Sequence, residues 1–344
     1  MPGSMPTKLR VGVVGLGRLW EVRYKPALAR LRDRFEVVAV YDQVPRRAEI
    51  EAGQLGCRAV EGLSELVGLP EVDVVYLLTP QWFGLHPIAV AAAAGKPVYC
   101  AVPVSAEGED LEALDRLVVS SGIPFMPEFA RRFYPASARL RELLATRLGP
   151  PRQVIALGRL TGFDRYGQPG PSTQIAPAPL LIDPGSYLLD WCRFVFEAEP
   201  TAVQGWAGAI LASDPAGEPD YATFLAEFGE KGVAEVSVGR YHRSAWGDAG
   251  RFLPQPGIQV LAERGAAWLE MPDRICWSDP EGNHDERLPL EPPIGVVLNE
   301  AFHRMARGEP STGPTWADSI AVARLIRSVR LSGLEGRKVA TRPL

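Results

Sequence analysis

Short apolar runs separated by stretches of helical periodicity open the chain. Leu9–Val14 (LRVGVV) reads as a strand buried on both faces, a helix-like stretch follows through Leu31, and Phe35–Tyr41 (FEVVAVY) is a second strand. Val72–Leu78 and Pro97–Val102 are further strands, with Ile88–Ala94 and Leu111–Ser120 as the helices after them. β-Branched strands alternating with helices predict a parallel sheet joined by right-handed crossovers. The rhythm changes after Gly122. Pro135–Leu148 is helical and stops at Gly149-Pro150-Pro151. Strand-like runs follow at Gln153–Leu160, Thr201–Gly208, Ala222–Gly229, Gly232–Tyr241, Gly257–Ala262 and Ala266–Met271. Short polar turns such as Gly229–Gly232 predict antiparallel pairing. Gly185–Phe196, Val296–Arg307 and Thr315–Leu331 are helical.

The predicted fold is α/β in two domains. Residues 5–125 form a doubly wound parallel sheet; residues 126–344 form an α+β domain with a largely antiparallel, open sheet. The last helix, about 315–331, is expected to pack back on the first domain. The Pro/Gly/Ser-rich stretch Gly167–Pro179 reads as a loop over a cleft.

Composition narrows the function. The 344 residues are 46% hydrophobic and 23% charged, with a net charge of −4, so the basic excess of a general nucleic-acid or anionic-membrane binder is absent. Arginine supplies almost all the positive charge, with five lysines in the chain, so lysine-dependent chemistry has few candidates. Cys57, Cys100, Cys192 and Cys276 are far apart, and the four histidines are equally scattered. Neither a disulfide framework nor a metal site is expected, and a reducing cytoplasm fits best. No apolar run spans a membrane and no signal-peptide segment is expected.

Strand one runs into Gly15-Leu16-Gly17-Arg18-Leu19-Trp20, the first two glycines of a G-x-G-x-x-G fingerprint between a strand and a helix. Glycines there let backbone N–H groups approach a pyrophosphate at the positive end of the helix. Asp42 closes strand two, where a carboxylate accepts hydrogen bonds from an adenosine ribose and repels a 2′-phosphate. That favours NAD over NADP, with Arg46 and Arg47 as partial offsets. Trp20 stands at the third glycine position, where a large ring should push the helix off the sheet unless it swings outward.

These landmarks resemble the Gfo/Idh/MocA family of sugar and polyol oxidoreductases. The resemblance is carried by Gly15-x-Gly17 with Tyr24-Lys25-Pro26-Ala27-Leu28, by Thr79-Pro80, His86 and Ala94-Gly95-Lys96-Pro97-Val98, and by Arg131-Arg132-Phe133-x-Pro135 and Asp183-Pro184-Gly185-x-Tyr187-x-x-Asp190. It covers nearly the whole chain and implies a Rossmann first domain. It also implies cofactor contacts at Gly15, Gly17, Arg18, Leu19, Asp42, Thr79, Pro80, His86 and Ala101. Substrate contacts are implied at Arg131, Arg132, Asp183 and Tyr187.

Where the family usually carries Glu-Lys-Pro, this sequence reads Ala101-Val102-Pro103; where it usually carries the acid/base histidine of D-x-G-x-H-x-x-D, it reads Tyr187. Val102 cannot titrate, and an unperturbed phenol near pKa 10 is a poor base at neutral pH unless a nearby cation lowers it. Tyr187 with Asp183 beside it is the expected proton-handling pair. Glu128 is a candidate buried acid, Lys96 a turn lysine, and Asp183 equally a helix cap. The leading expectation is an NAD(P)-dependent oxidoreductase acting on a sugar, polyol or related small molecule. The alternatives are a silent dinucleotide- or sugar-binding relative, or a redox-neutral NAD-dependent glycosidase-like enzyme. A homodimer or homotetramer through the second domain's sheet is expected, because one apolar face lacks a helix layer.

Overall fold

A computed structural model describes residues 6–78, 84–104, 109–160, 181–208, 219, 221–240 and 257–341. The chain divides into two compact units: residues 1–130 with 291–323, and residues 131–290 with 324–344.

The first unit carries a six-stranded, all-parallel sheet in the order β3-β2-β1-β4-β5-β6, from β1 (Leu9–Val14), β2 (Phe35–Tyr41), β3 (Arg58–Ala59), β4 (Val74–Leu77), β5 (Val98–Cys100) and β6 (Phe125–Pro127). This is the doubly wound order, in which the winding reverses between β1 and β4. β4 reads as an unbroken apolar run, and β1 as one interrupted only by Arg10, because both are buried on both faces. On one face the core joins α3 (Leu63–Gly68), α4 (His86–Ala93), α5 (Glu109–Ser121) and the first turns of α9 (Trp316–Glu335). Gly12 lets α3 approach β1: a Cβ there would meet Leu66 Cδ2 at 2.5 Å. On the other face Tyr76 stacks on Tyr99 and meets Phe302 of α8 (Ile294–Ala306) edge-on, while its hydroxyl reaches Asn299 Oδ1 at 2.5 Å. Two further helices, α1 (Lys25–Arg30) and α2 (Pro45–Leu55), complete this unit.

The second unit is built on a nine-stranded mixed sheet, ordered β14-β13-β12-β11-β7-β10-β9-β8-β15. Its strands are β7 (Pro151–Leu160), β8 (Ala202–Gly208), β9 (Tyr221–Glu227), β10 (Val233–Arg240), β11 (Gly257–Ala262), β12 (Gly265–Glu270), β13 (Arg274–Asp279), β14 (Gly282–Arg287) and β15 (Val339–Ala340). The Gly229–Lys231 turn makes β9 and β10 the antiparallel hairpin that its residues predict, and among the described strands of this sheet only β7 and β10 pair in parallel. α6 (Pro135–Leu143) continues as a π turn, Leu144–Leu148, and α7 (Ser186–Phe196) follows another, Leu181–Gly185. α7 lies on the sheet where Gly158 leaves room for it; a Cβ there would meet Pro184 and Leu188 at 2.9 and 3.0 Å.

Candidate functional site

In the first unit the turn after β1 is set by Gly15, whose φ of 97° an L side chain rarely adopts. Gly17 is exposed, and a Cβ on it would meet nothing within 4 Å, which leaves the approach to the turn open. Asp42, the first residue after β2, is 8% exposed. Its oxygens accept from the Leu16 N–H (2.8 Å), the Val44 N–H (2.9 Å) and Arg47 (3.1 Å). The carboxylate therefore holds the glycine turn, and Arg47 is paired to it. Arg46 pairs instead with Glu49 at 3.2 Å.

Trp20 does not swing outward. Its ring is fully buried, and the chain meets the volume by opening a π turn over Trp20–Tyr24 before α1 starts. The indole N–H has no hydrogen-bond partner among the described residues.

That turn also carries Arg23, which the sequence did not single out, and Tyr24, which it offered only as a landmark. Both donate to Glu128, the buried carboxylate following β6, and the Tyr24 and Tyr99 hydroxyls lie 2.9 Å apart. Burial raises the Glu128 carboxyl above the usual range, with Arg23 and Tyr24 pulling the other way. Burial likewise pushes the Tyr24 phenol up. The one readable signal was an acid inside the apolar run FMPEF.

His86, exposed, begins α4, and Ala101 is buried with its N–H on the Leu77 carbonyl at 2.9 Å. Val102 and Pro103 are half-buried, Arg18 is exposed and Leu19 half-buried. Lys96 donates to the Val72 carbonyl at 2.6 Å, which makes it a structural lysine. Thr79, Pro80, the stretch 167–179 and the Asp183 side chain lie outside the described residues.

The second unit sorts the two adjacent arginines. Arg132 reaches Asp190 of α7 through both Nε (2.9 Å) and Nη2 (2.5 Å), and Arg193 adds a third contact at 3.3 Å. Asp190 is 1% exposed, so Arg132 serves a buried ion pair rather than standing open to a ligand. Arg131 lies over the half-buried Tyr187 ring, its guanidinium carbon 5.7 Å from the centroid. Its backbone is fixed through the buried Ser137, whose hydroxyl donates to the Arg131 carbonyl (2.6 Å) and accepts from the Trp191 indole (2.9 Å). Two neighbouring arginines thus engage two residues one turn apart on α7.

Among the described residues, no His, Cys, Asp and Glu group could hold a metal ion, and no helix is long and apolar enough to cross a membrane.

Comparison with known proteins gives these features a context. Residues 9–129 match the model of an oxidoreductase family with an NAD-binding Rossmann fold, and residues 138–267 match the Gfo/Idh/MocA C-terminal domain. An inositol 2-dehydrogenase of Rhizobium meliloti is 26% identical over 86% of this chain and 85% of its own length. The NAD(+)-dependent scyllo-inositol 2-dehydrogenase of Bacillus subtilis is 29% identical over 69% of this chain and 68% of its own. An Agrobacterium radiobacter oxidoreductase, solved with NAD+, L-tartaric acid and magnesium, shares the fold with a TM-score of 0.79 at 20% identity, over 97% of this chain and 98% of that one. The chain belongs to the Gfo/Idh/MocA family of NAD(P)-dependent oxidoreductases.

Proposed function

We propose that the protein is an NAD-dependent dehydrogenase of a sugar, inositol or related polyol, with Tyr187 as its proton carrier. The observation that carries the cofactor reading is the Asp42 carboxylate on the Leu16 N–H, fixed beside the Gly15–Gly17 turn. A buried acid at the end of β2 favours a ribose diol and disfavours a 2′-phosphate, and Arg47 is already committed to it. Gly15, Gly17, Arg18, Leu19, Asp42, Thr79, Pro80, His86 and Ala101 are assigned to the cofactor. When bound, the nicotinamide ring supplies the hydride acceptor. The inositol dehydrogenase activities of its relatives support a carbinol of a cyclic polyol as donor.

Oxidation of that carbinol needs a group to take the hydroxyl proton. Tyr187 and Asp183 are assigned to that task. Arg131, whose guanidinium lies over the ring, is assigned to the substrate beside it. Arg132 positions α7 through Asp190. The half-buried Val102 supports a second reading, binding without net turnover, since that side chain cannot donate, titrate or polarise. Gain of polyol-dependent NADH by the Val102→Lys, Tyr187→His double variant over an inactive parent would favour that second reading.

The active form is proposed to be a homo-oligomer through the open sheet face, in a reducing cytoplasm that suits four free thiols. Isothermal titration with NAD(H) and NADP(H) tests the cofactor reading. Tighter NAD(H) binding, with the preference relaxed in Asp42→Ala, is expected. Failure of the folded protein to bind either dinucleotide overturns it.

A further inference from the structure

Glu128 takes no part in the proton transfer assigned to Tyr187 and Asp183, yet its carboxylate is buried in the first unit at the segment that follows the glycine turn. That segment is weakly held by its own backbone. Leu19, at its start, has no side-chain cap, and the Glu21 N–H meets the Gly17 carbonyl at a long 3.3 Å. Beyond the π turn, α1 is six residues long. A helix that short depends on tertiary contacts for its order. Trp20 and Tyr24 are both fully buried, so the π turn also has two large rings to seat.

The missing support comes from across the sheet. The Tyr24 ring meets Tyr76 of β4 and Tyr99 of β5 edge-on, with centroids 6.1 and 5.4 Å away. α8 closes on the turn at Gly295, where a Cβ would meet the Arg23 carbonyl at 2.8 Å. Asn299 donates to the Gly295 carbonyl at 2.6 Å and accepts from Tyr76, which ties α8 to β4. The charged anchor is Glu128, one residue past β6, its own N–H on the Cys100 carbonyl of β5 at 2.8 Å. One of its carboxylate oxygens accepts from Arg23 and the other from Tyr24. A segment that leaves β1 is thus fastened three strands away, about 14 Å at the usual strand spacing. On the other side of β1, Asp42 follows β2 and accepts from the Leu16 N–H. The glycine turn and its π turn are held between two buried carboxylates from opposite sides of β1.

We propose that Glu128 is a positioning residue for the dinucleotide: through Arg23 and Tyr24 it fixes the π turn, and with it the glycine turn against which the pyrophosphate lies. The proposal rests on the dinucleotide reading of that turn and deepens it. Both carboxylate oxygens are engaged and the side chain is 6% exposed, so Glu128 acts through the turn and not on the ligand. The charge is what holds two donors at once. A glutamine of the same size offers one acceptor oxygen where the carboxylate offers two. Backbone N–H groups that meet a pyrophosphate have to be held to within about 0.5 Å, so a turn released at its far end loses affinity. Positioning differs from general support in what it affects. Ligands that carry the pyrophosphate feel the turn, whereas adenosine, whose ribose is assigned to Asp42, does not. Arg23 and Glu128 also act as one unit, so their losses overlap.

The test is the dissociation constant of three probes, NAD and ADP-ribose by calorimetric titration and adenosine by ligand-observed NMR, with melting temperature as a check on folding. Glu128→Gln is expected to weaken NAD and ADP-ribose alike by about 10-fold, within the range of typical coupling energies. Adenosine should stay within about two-fold of the parent. Arg23→Gln shows the same pattern, and the double variant loses no more than the worse single. Tyr24→Phe keeps the ring, removes one donor and weakens the same two probes; it carries the test if Glu128→Gln does not fold. A folded parent that binds none of the three overturns the dinucleotide reading itself. A parent that binds NAD no more tightly than folded Glu128→Gln, or than Tyr24→Phe where that variant carries the test, overturns the positioning role and leaves the dinucleotide reading standing. An equal loss for adenosine, or multiplicative losses in the double variant, does the same.

Discussion

Replacing Asp190 by Asn removes the charge that two arginines share while keeping the side chain's size. In the native unit Arg132 donates to it twice and Arg193 once, and Asp190 is 1% exposed. Removing one partner of a buried pair typically costs about 3–5 kcal/mol, because the remaining charge stays desolvated. Arg193 keeps Glu199 at 2.8 and 2.5 Å, and Arg132 retains partial access to water, so the lower end, about 3 kcal/mol, applies. For a unit of this size that is a melting temperature lower by about 6–12 °C. Calorimetry measures it directly. Replacing both ends, with Arg132→Met and Asp190→Leu, should cost less than the sum of the single changes, because no unpaired charge is left. If Asp190→Asn melts within about 2 °C of the parent, the pair is not the clamp between α7 and the Ala130–Phe133 turn that the geometry implies.

Two further outcomes follow from ionisation. Glu286 is held below the usual carboxylate range by its hydrogen bonds from Arg139, with burial opposing and the Trp277 indole assisting. A depressed carboxyl contributes stability above its unfolded pKa and loses it as pH falls through the folded value. Glu286→Gln should therefore melt lower than the parent at neutral pH, with the gap closing on acidification; a constant gap in pH-dependent melts would contradict this. The second outcome concerns thiols. Burial pushes Cys57 up to about 11 and Cys100 up to about 12, and raises Cys192 and Cys276 as well. Native protein at mildly alkaline pH should react slowly with iodoacetamide at all four and rapidly once unfolded; fast native labelling followed by mass spectrometry would refute it.

The fold was legible wherever burial follows a simple period. β1 and β2 carry apolar runs interrupted by one charge each, Arg10 and Glu36, the β9–β10 hairpin alternates, and all stand where the sequence placed them. Elements without that contrast were not legible. α2 (PRRAEIEAGQL) turns little more than Ala48 and Ala52 inward, and β13 and β14 (RICWSD, GNHDER) interleave charges that pair across strands. β6 is three residues long, too short for any periodicity. At the candidate site, the glycine turn and Asp42 could be read because both belong to one strand–turn–helix–strand unit. The division of labour between Arg131 and Arg132 could not, since Asp190 lies 58 residues away and no spacing rule connects them. The π turn that buries Trp20 was equally hidden: a sequence shows the bulk of a side chain but not the backbone's answer to it.

The central claim is net oxidation of a polyol by NAD with Tyr187 taking the proton, and initial rates of NADH formation at about 340 nm test it most directly. The panel comprises inositols and other polyols, and the parent is compared with Tyr187→Phe from neutral to alkaline pH. NADH should form with at least one panel member, faster at alkaline pH, and Tyr187→Phe should lower kcat by roughly 10²–10⁴-fold, as loss of a general acid/base does. NAD-saturated protein that forms no NADH with any polyol, or a Tyr187→Phe variant as fast as the parent, would contradict the account.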